Sequence, residues 1–477
     1  MPVAAQVARH AARSPYRIAV RGPGGELTYA ALAARARRLA AHLTTRLGPL
    51  RGRVAAISLA DPVDQLTAVL AVDLLGGTPL LCDPAWDDRV LNAVTANVSR
   101  IDLIPPFPPP PPTSACPPAS ALTPAPAPLP ASALYSVPAP ADGDLAWACF
   151  SSGSTGRPRA VVRTRGSWTG SFEPLSELTG IGADDVVLVP GPLVSSLYGF
   201  AAVHALAVGA TVLAPGRWSP DALPGLLREA TAVHLVPHRL PEILRARPAG
   251  SPLRAAVVGG AALPAGLRGH AAGLRVVSYY GATELSFVAV DADGSGLRPF
   301  PGVEIEVRAP AGRHLGEVWA RSPWLAEGYL AGAAGPLLTD GDGWMSVGDM
   351  AERWRPGQPL RLRGRGGGAI QTGGATVVPE DVEEVLRSAP GVGDVIVIGS
   401  PHPDLGAVVT AIVEVGAGVP PPRSALEAIA RGGLDTAQRP RRWYAVQALP
   451  RTPAGKPARG LVAARLAGGD PGLRRLT

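Results

Sequence analysis

The sequence predicts an α/β fold: a large N-terminal domain of parallel sheets flanked by helices, then a small mobile α+β C-terminal domain on a glycine-rich hinge. Three observations predict it. Short apolar runs, VAAISLA (54–60), TPLLCD (78–83), DVVLVP (185–190), ATVLAP (210–215) and AVHLVP (232–237), alternate with helical segments. Continuous apolar runs of this kind mark strands covered on both faces, as in parallel sheets. Composition then breaks at RGRGGGAIQTGG (363–374), where glycines permit a pivot. Finally, 477 residues exceed the roughly 100–200 typical of one domain, which divides the chain at residues 1–365 and 366–477.

The elements follow in order. The opening MPVAAQVARHAARSPYRIAV reads as a surface helix ending before Ser14-Pro15, since it lacks the long apolar stretch of a secretory signal. LTYAALAARARRLAAHL (27–43) places apolar residues at helical spacing behind a capping Thr28. Residues 105–141 are dense in proline, including Pro108 to Pro112, and read as an extended, solvated loop within the large domain. Beyond the glycines, PEDVEEVL starts a helix at Pro379, where a missing N–H costs nothing, and GDVIVIGS and AVVTAIVEV read as strands.

Bulk chemistry excludes several classes. With 46% hydrophobic and 17% charged residues, and no apolar run near the roughly 20 residues of a bilayer span, the chain reads as globular, cytoplasmic and free of membrane spans. Cys82, Cys116 and Cys149 are few, odd in number and far apart, so they predict buried or inert thiols and no disulfide framework. The net charge of +7 comes from scattered arginines without an aromatic platform, which argues against a nucleic-acid partner. No His/Cys/Asp cluster has the spacing of a structural metal site.

Two stretches carry chemistry. FSSGSTGRPRAV (150–161) packs Ser151, Ser152, Gly153, Ser154, Thr155 and Gly156 before Arg159, and such a loop turns N–H groups and hydroxyls toward one anion. The Walker pattern is absent from it. RTPAGKPARG (451–460) holds Lys456, the only lysine among 45 basic residues. In a chain so rich in arginine, a retained lysine points to a site that needs a compact ammonium rather than a planar fork.

Taken with the rest of the chain, the first stretch resembles the phosphate loop of the adenylate-forming superfamily: acyl-CoA synthetases, amino-acid adenylation domains and luciferase-like enzymes. VVGGAAL (257–263), YYGATEL (279–285), LGEVWARSPWLAEGYL (315–330), VGDMAERW (347–354), LRGRGGGAIQTGGATVVPEDVEEVL (362–386) and RTPAGKPARG follow in that family's order. The resemblance covers about residues 10 to 460. It implies an ATP-dependent ligase that joins a small-molecule carboxylic acid to AMP and passes the acyl group to CoA or to the phosphopantetheine of an acyl carrier protein. The reaction brings two anions together, so cations must be placed where charge develops.

The resemblance assigns roles residue by residue. Lys456, Thr283 and Glu284 are the implied catalytic residues, with Glu284 holding Mg2+ and Thr283 meeting the α-phosphate. Gly259, Gly260 and Ala261 lie along adenine, Tyr280 stacks beside it, and Gly281 and Ala282 complete the nucleotide turn. Asp349 accepts from the ribose hydroxyls and Arg365 binds or orders that region. Gly367 is the implied hinge, and Gly373 and Gly374 the loop at the thioester tunnel.

Some positions depart from the family. The phosphate loop ends Pro158-Arg159-Ala160 instead of Pro-Lys-Gly, and Gly367 and Gly368 replace residues that are often charged. These departures motivate a nucleotide-binding homologue of impaired activity as the alternative, against which stand Glu284, Asp349, Arg365 and Lys456. GPLVSSLYGFAAVHAL (191–206) lacks the family's pocket histidine and offers Ser195, Ser196 and Tyr198. With Trp168 and Phe287 nearby, this region favours an uncharged aliphatic or aromatic acid. His204 reads as a packed histidine rather than a ligand.

Overall fold

Burial of the apolar runs decides the architecture. A computed structural model describes residues 3–95, 141–151, 159–264, 266–310, 312, 314–333, 335–365, 368, 370–372, 375–416, 418–452 and 455–477. Among them, the largest sheet has nine strands and a parallel centre. Ile18–Gly22, Thr211–Leu213, Val186–Leu188, Ala232–Leu235, Ala255–Gly259 and Arg275–Ala282 lie side by side, with antiparallel strands only at the two edges. A second sheet sets Val54–Ile57, Thr78–Leu81 and Leu145–Ser151 parallel, then adds Arg159–Thr164 and Gly328–Tyr329 antiparallel. All five apolar runs read as strands are strands.

Helix Ser196–Val208 explains how the two sheets meet. Its sequence SLYGFAAVHALAV carries no Lys, Arg, Asp or Glu and is buried from Tyr198 to Leu206, as befits a helix enclosed on all sides. It packs on strands of both sheets, and a single bridge pairs Phe150 with Ser195 at its N-cap. Helix Tyr29–Leu47 begins as expected, with Thr28 Oγ1 accepting from Ala31 N at 3.2 Å. The N-terminal helix, Ala4–Arg13, stops before Ser14.

A third, antiparallel sheet runs through Glu304–Arg308, Leu315–Arg321, Asp349–Glu352 and Leu362–Arg365. The fourth belongs to the C-terminal unit and includes Asp394–His402, Gly406–Glu414 and Arg442–Val446. Period-two alternation builds cores on both of its faces. Val395, Val397, Val409 and Ala411 meet helices Pro379–Arg387 and Arg423–Gly433, while Ile396, Ile398 and Ile412 meet helix Arg459–Ala467. Pro379 opens its helix as predicted.

Cys82 and Cys149 are buried free thiols; Cys116 and nearly all of the proline-rich stretch lie outside the described residues. Burial pushes the Cys149 thiol up to about 12, against the pull of Arg163, so it stays protonated and inert. No helix among the described residues is long and apolar enough to cross a membrane.

Candidate active site

Thr283 and Glu284 occupy a hairpin turn between strands Arg275–Ala282 and Ser286–Asp291. The pairing shifts register between Tyr280 and Gly281, and a β-carbon on Gly281 would stand 2.1 Å from Ser286 O. Only glycine allows that approach. The turn closes with Leu285 N donating to Ala282 O at 3.1 Å. Thr283 Oγ1 lies 2.9 Å from Ser196 Oγ, a hydroxyl pair linking this turn to the start of helix Ser196–Val208. Glu284 is buried, and its Oε1 accepts from the Tyr329 hydroxyl at 2.8 Å. Burial and the Glu284 carboxylate together raise the Tyr329 phenol well above its ordinary range, so it remains a donor.

Beneath this turn lies Arg163, a buried cation that sequence reading did not single out. Its guanidinium donates to Ser167 O at 2.7 Å, to Thr283 O at 3.4 Å and to Trp324 O, and it sits 5.0 Å from the Trp168 ring centroid. Burial pulls its pKa down to about 10, while Cys149 and Glu284 oppose the shift. It is still charged at neutral pH and supplies positive potential close to Glu284.

Tyr280 and Asp349 come together from strands far apart in sequence. The Tyr280 hydroxyl donates to Asp349 Oδ2 at 2.8 Å, and Asp349 is the register partner of Arg365. The two residues that the resemblance placed at the ribose are thus neighbours on one antiparallel ladder.

Strand Ala255–Gly259 ends in the glycine turn, and neither glycine tolerates a side chain. A β-carbon on Gly259 would overlap the Tyr279 ring at 2.1 Å. Gly260 has φ of +90°, and a β-carbon there would meet Lys456 Cε at 2.7 Å and Nζ at 3.3 Å. The lone lysine of the C-terminal unit therefore lies across the glycine turn of the large unit. Two bonds tie Thr452 to Lys456: Thr452 N donates to Lys456 O at 2.7 Å, and Lys456 N to Thr452 Oγ1 at 3.2 Å. Arg451 anchors that loop to Asp394 at 3.1 Å and to Glu414 at 3.3 Å.

Gly455 seats the same loop on the segment after strand Ala232–Leu235. A β-carbon on Gly455 would stand 2.9 Å from His238 Cε1 and 3.6 Å from Val236 Cγ2. Arg363 adds a second contact between the units, pairing with Asp381 at 3.2 Å and with Glu352. Around Gly455, Val236 and Tyr198 opens a cavity of about 250 Å³.

The remaining expected residues divide clearly. Ser151 and Arg159 are register partners at the ends of an antiparallel pair, so residues 152–158 span from one strand to the next. Ser152 to Gly156, Gly367, Gly373 and Gly374 lie outside the described residues, as do the side chains of Ser151 and Arg365. Ala261 is exposed beside the glycine turn, and Ser195 caps its helix through the chain rather than its side chain. Tyr198 lines the cavity. Trp168 and Phe287 instead belong to a buried aromatic column that also contains Trp147, Phe200 and Phe300. His204 packs as expected, with Nε2 2.9 Å from Ser176 Oγ, and burial lowers its pKa to about 4.

Residues 7–330 match the AMP-binding enzyme family, and residues 381–456 match the AMP-binding enzyme C-terminal domain. This chain belongs to the AMP-binding enzyme family. Among its relatives is YhfT, an uncharacterized acyl–CoA ligase of Bacillus subtilis, 33% identical over 332 residues and covering 66% of this chain and 67% of that protein. A probable 2-succinylbenzoate–CoA ligase of Mycobacterium tuberculosis is 31% identical over 339 residues, covering 69% of this chain and 86% of that protein. The AMP-binding enzyme is thus an acid–thiol ligase by kinship. ATP-bound MatB from Rhodopseudomonas palustris shares its fold, with a TM-score of 0.80 at 22% identity over 98% of this chain and 99% of that one.

Two tests bear directly on the seating of Lys456 in this AMP-binding enzyme. Gly260→Ala is expected to push the ammonium aside and strain the turn, cutting acid-dependent pyrophosphate exchange by roughly 100-fold, since misplacing a reacting group by about 1 Å has that effect. Steady-state exchange assays check it, and a change under about threefold would contradict the contact.

His238 supplies the second test. Covered by Gly455, its ring is lowered to about 4 by burial first, then by Arg451 and Arg239, while Asp394 and Glu242 pull the other way. When the units separate, the ring returns toward its ordinary value of about 6.5. The docked pose holds fewer protons, so docking is complete above about pH 6.5 and weakens as pH falls toward about 4. The exchange rate of the parent enzyme should decline over that window, and His238→Gln should flatten the decline. Identical profiles for the two would rule out this linkage.

Proposed function

We propose that this AMP-binding enzyme activates a carboxylic acid with ATP, forming an acyl-adenylate and pyrophosphate, and then transfers the acyl group to the thiol of CoA. The observation that supports it most is the approach of Lys456, the chain's one lysine, to the glycine turn at Gly260. Asp349, held by Tyr280, suits the ribose hydroxyls; Arg365 stands opposite it. Gly259, Gly260 and Ala261 form the edge along adenine. The loop from Ser151 through Arg159 is assigned to the β- and γ-phosphates.

Chemistry then follows from charge. A carboxylate oxygen attacks the α-phosphorus and pyrophosphate leaves. Lys456 sits between the two anions, where a flexible ammonium neutralises both without the width of a guanidinium. Thr283, steadied by Ser196, donates toward the α-phosphate.

Glu284 fits a magnesium site: its carboxylate is buried and Tyr329 fixes one oxygen. A single carboxylate suits an ion that keeps phosphate and water ligands, and that ion when bound would offset phosphate charge. In the second half-reaction the thiol sulfur attacks the acyl carbon and AMP leaves. We assign the pivot between half-reactions to Gly367, dividing residues 1–365 from 366–477, and the tunnel loop to Gly373 and Gly374.

The experiment is a mass-spectrometric screen of carboxylic acids with ATP and Mg2+, offering CoA and a pantetheinylated carrier protein as acceptors. Acyl-CoA with AMP is the expected product. Acylation of the carrier protein alone would reassign the acceptor, and no acid-dependent AMP with any acid would defeat the proposal.

A further inference from the structure

We infer that the cavity beside Lys456 is the seat of the acyl group, and that Trp218 and Arg239 select there an aromatic, uncharged acyl group bearing a hydrogen-bond acceptor. The inference rests on the activation reading above and adds the substrate class.

Position identifies the occupant. The cavity is bounded by Gly455 and Val236, and Val236 Cγ1 stands 3.6 Å from the same Gly260 β-carbon position that Lys456 approaches. A carboxylate held by Lys456 therefore has this space beside it for the rest of the acid. Because Gly455 forms part of the wall, the space is complete only while the lysine loop is docked. The acid must be present in that pose, whereas the thiol reacts after the adenylate has formed.

Size and walls narrow the class. A cavity of roughly 150 Å³ already accepts benzene, so about 250 Å³ has room for at least one ring. Tyr198 and Trp218 supply aromatic faces, and Pro190 and Pro192 add flat apolar surface. Tyr198 is held in place by packing: its ring occupies the space of a Gly191 side chain, whose β-carbon would fall 2.0 Å away. Such walls favour a planar ring over a branched aliphatic chain.

The polar lining is preorganised by Glu242. Its Oε2 accepts from Trp218 Nε1 at 2.8 Å and its Oε1 from Arg239 at 2.8 Å, while the Arg239 guanidinium lies 4.6 Å from the Trp218 ring centroid. One carboxylate thus fixes both the ring and the cation that line the cavity. Since Arg239 is already balanced, a second substrate carboxylate would share one guanidinium with Glu242, and like charges in one site repel. A phenol or carbonyl oxygen accepts from Arg239 without that conflict. Arg217, also on the wall, is exposed, where water screens its charge.

Acid-dependent exchange of labelled pyrophosphate into ATP tests this without any acceptor. A panel of benzoic, phenylacetic and phenylpropionic acids, their 4-hydroxy forms, straight-chain monoacids and dicarboxylic acids would be compared in the parent enzyme, Trp218→Ala, Trp218→Phe and Arg239→Gln. The best substrates should be 4-hydroxyaryl acids. Trp218→Ala should raise their KM by about tenfold with kcat little changed, Trp218→Phe should restore most of the loss, and Arg239→Gln should erase about a tenfold preference for 4-hydroxy over plain aryl acids. Thermal melting confirms that each variant is folded. Exchange supported only by aliphatic or dicarboxylic acids, or a panel order unchanged in folded variants, would overturn this inference while leaving acid activation standing. Variants altered only in acyl-CoA formation would assign the cavity to the acceptor and overturn it as well. Absence of exchange with every acid would overturn both readings.

Discussion

Lys456→Ala is expected to lose acid-dependent pyrophosphate exchange by about 100- to 1,000-fold while keeping ATP affinity within about threefold. The first figure follows from the roughly 3–4 kcal/mol carried by one preorganised donor at a developing charge. The second follows from geography, since Gly259, Gly260, Tyr280 and Asp349 all lie on the large unit. No other lysine exists to substitute. Lys456→Arg should recover little, because Cε already approaches the Gly260 β-carbon position to 2.7 Å and a wider planar head has no equivalent seat. Exchange assays with calorimetric ATP titration decide it, and rescue by arginine to near parental rate would show that simple positive charge suffices.

Arg163→Met should bring the largest loss of stability. Its guanidinium is fully enclosed and holds the carbonyls of Ser167, Thr283 and Trp324 beneath the catalytic turn. Removing it leaves those acceptors and the buried Glu284 without their cation. Leaving a buried acceptor unpaired costs about 1–3 kcal/mol, so losing three such contacts is expected to cost several kcal/mol. Adding Glu284→Gln should return part of the stability without returning activity, a non-additivity that a double-mutant cycle in denaturant unfolding measures. Equal melting of parent and Arg163→Met would remove Arg163 from this role.

These two residues also mark the limits of reading a sequence. Lys456 was legible because it is unique; Arg163 is one of 44 arginines and nothing local distinguishes it. The strands were legible because burial on both faces demands unbroken apolar runs, and Thr28 and Pro379 because capping chemistry is local. Long-range pairings were not. Tyr329 reaches Glu284 across 45 positions, Ser196 reaches Thr283 across 87, and Tyr280 reaches Asp349 across 69. Tyr329 does lie in the LAEGYL stretch, so a signal was present without a role attached to it.

Trp168 and Phe287 show the opposite case. Sequence reading set them beside the neutral stretch 191–206 as a sign of an uncharged acid, and both stack within the buried aromatic column. Trp218, Arg239 and Glu242, which do shape the cavity, come from two connections after separate strands of one parallel sheet. Strand Val186–Leu188 lies between those two strands, so the connections reach one edge of the parallel sheet close together, an arrangement that follows strand order rather than sequence order.

Uniqueness of the lysine permits one direct measurement. Acetylation by an amine-directed reagent can reach only Lys456 and the chain's N-terminal amine, and peptide mass spectrometry separates the two. Saturating ATP with Mg2+ should slow acetylation of Lys456 at least about tenfold without slowing the N-terminus, and exchange activity should fall in proportion to the fraction of Lys456 modified. Equal labelling with and without nucleotide, or full exchange after complete modification, would contradict a catalytic ammonium docked at the glycine turn.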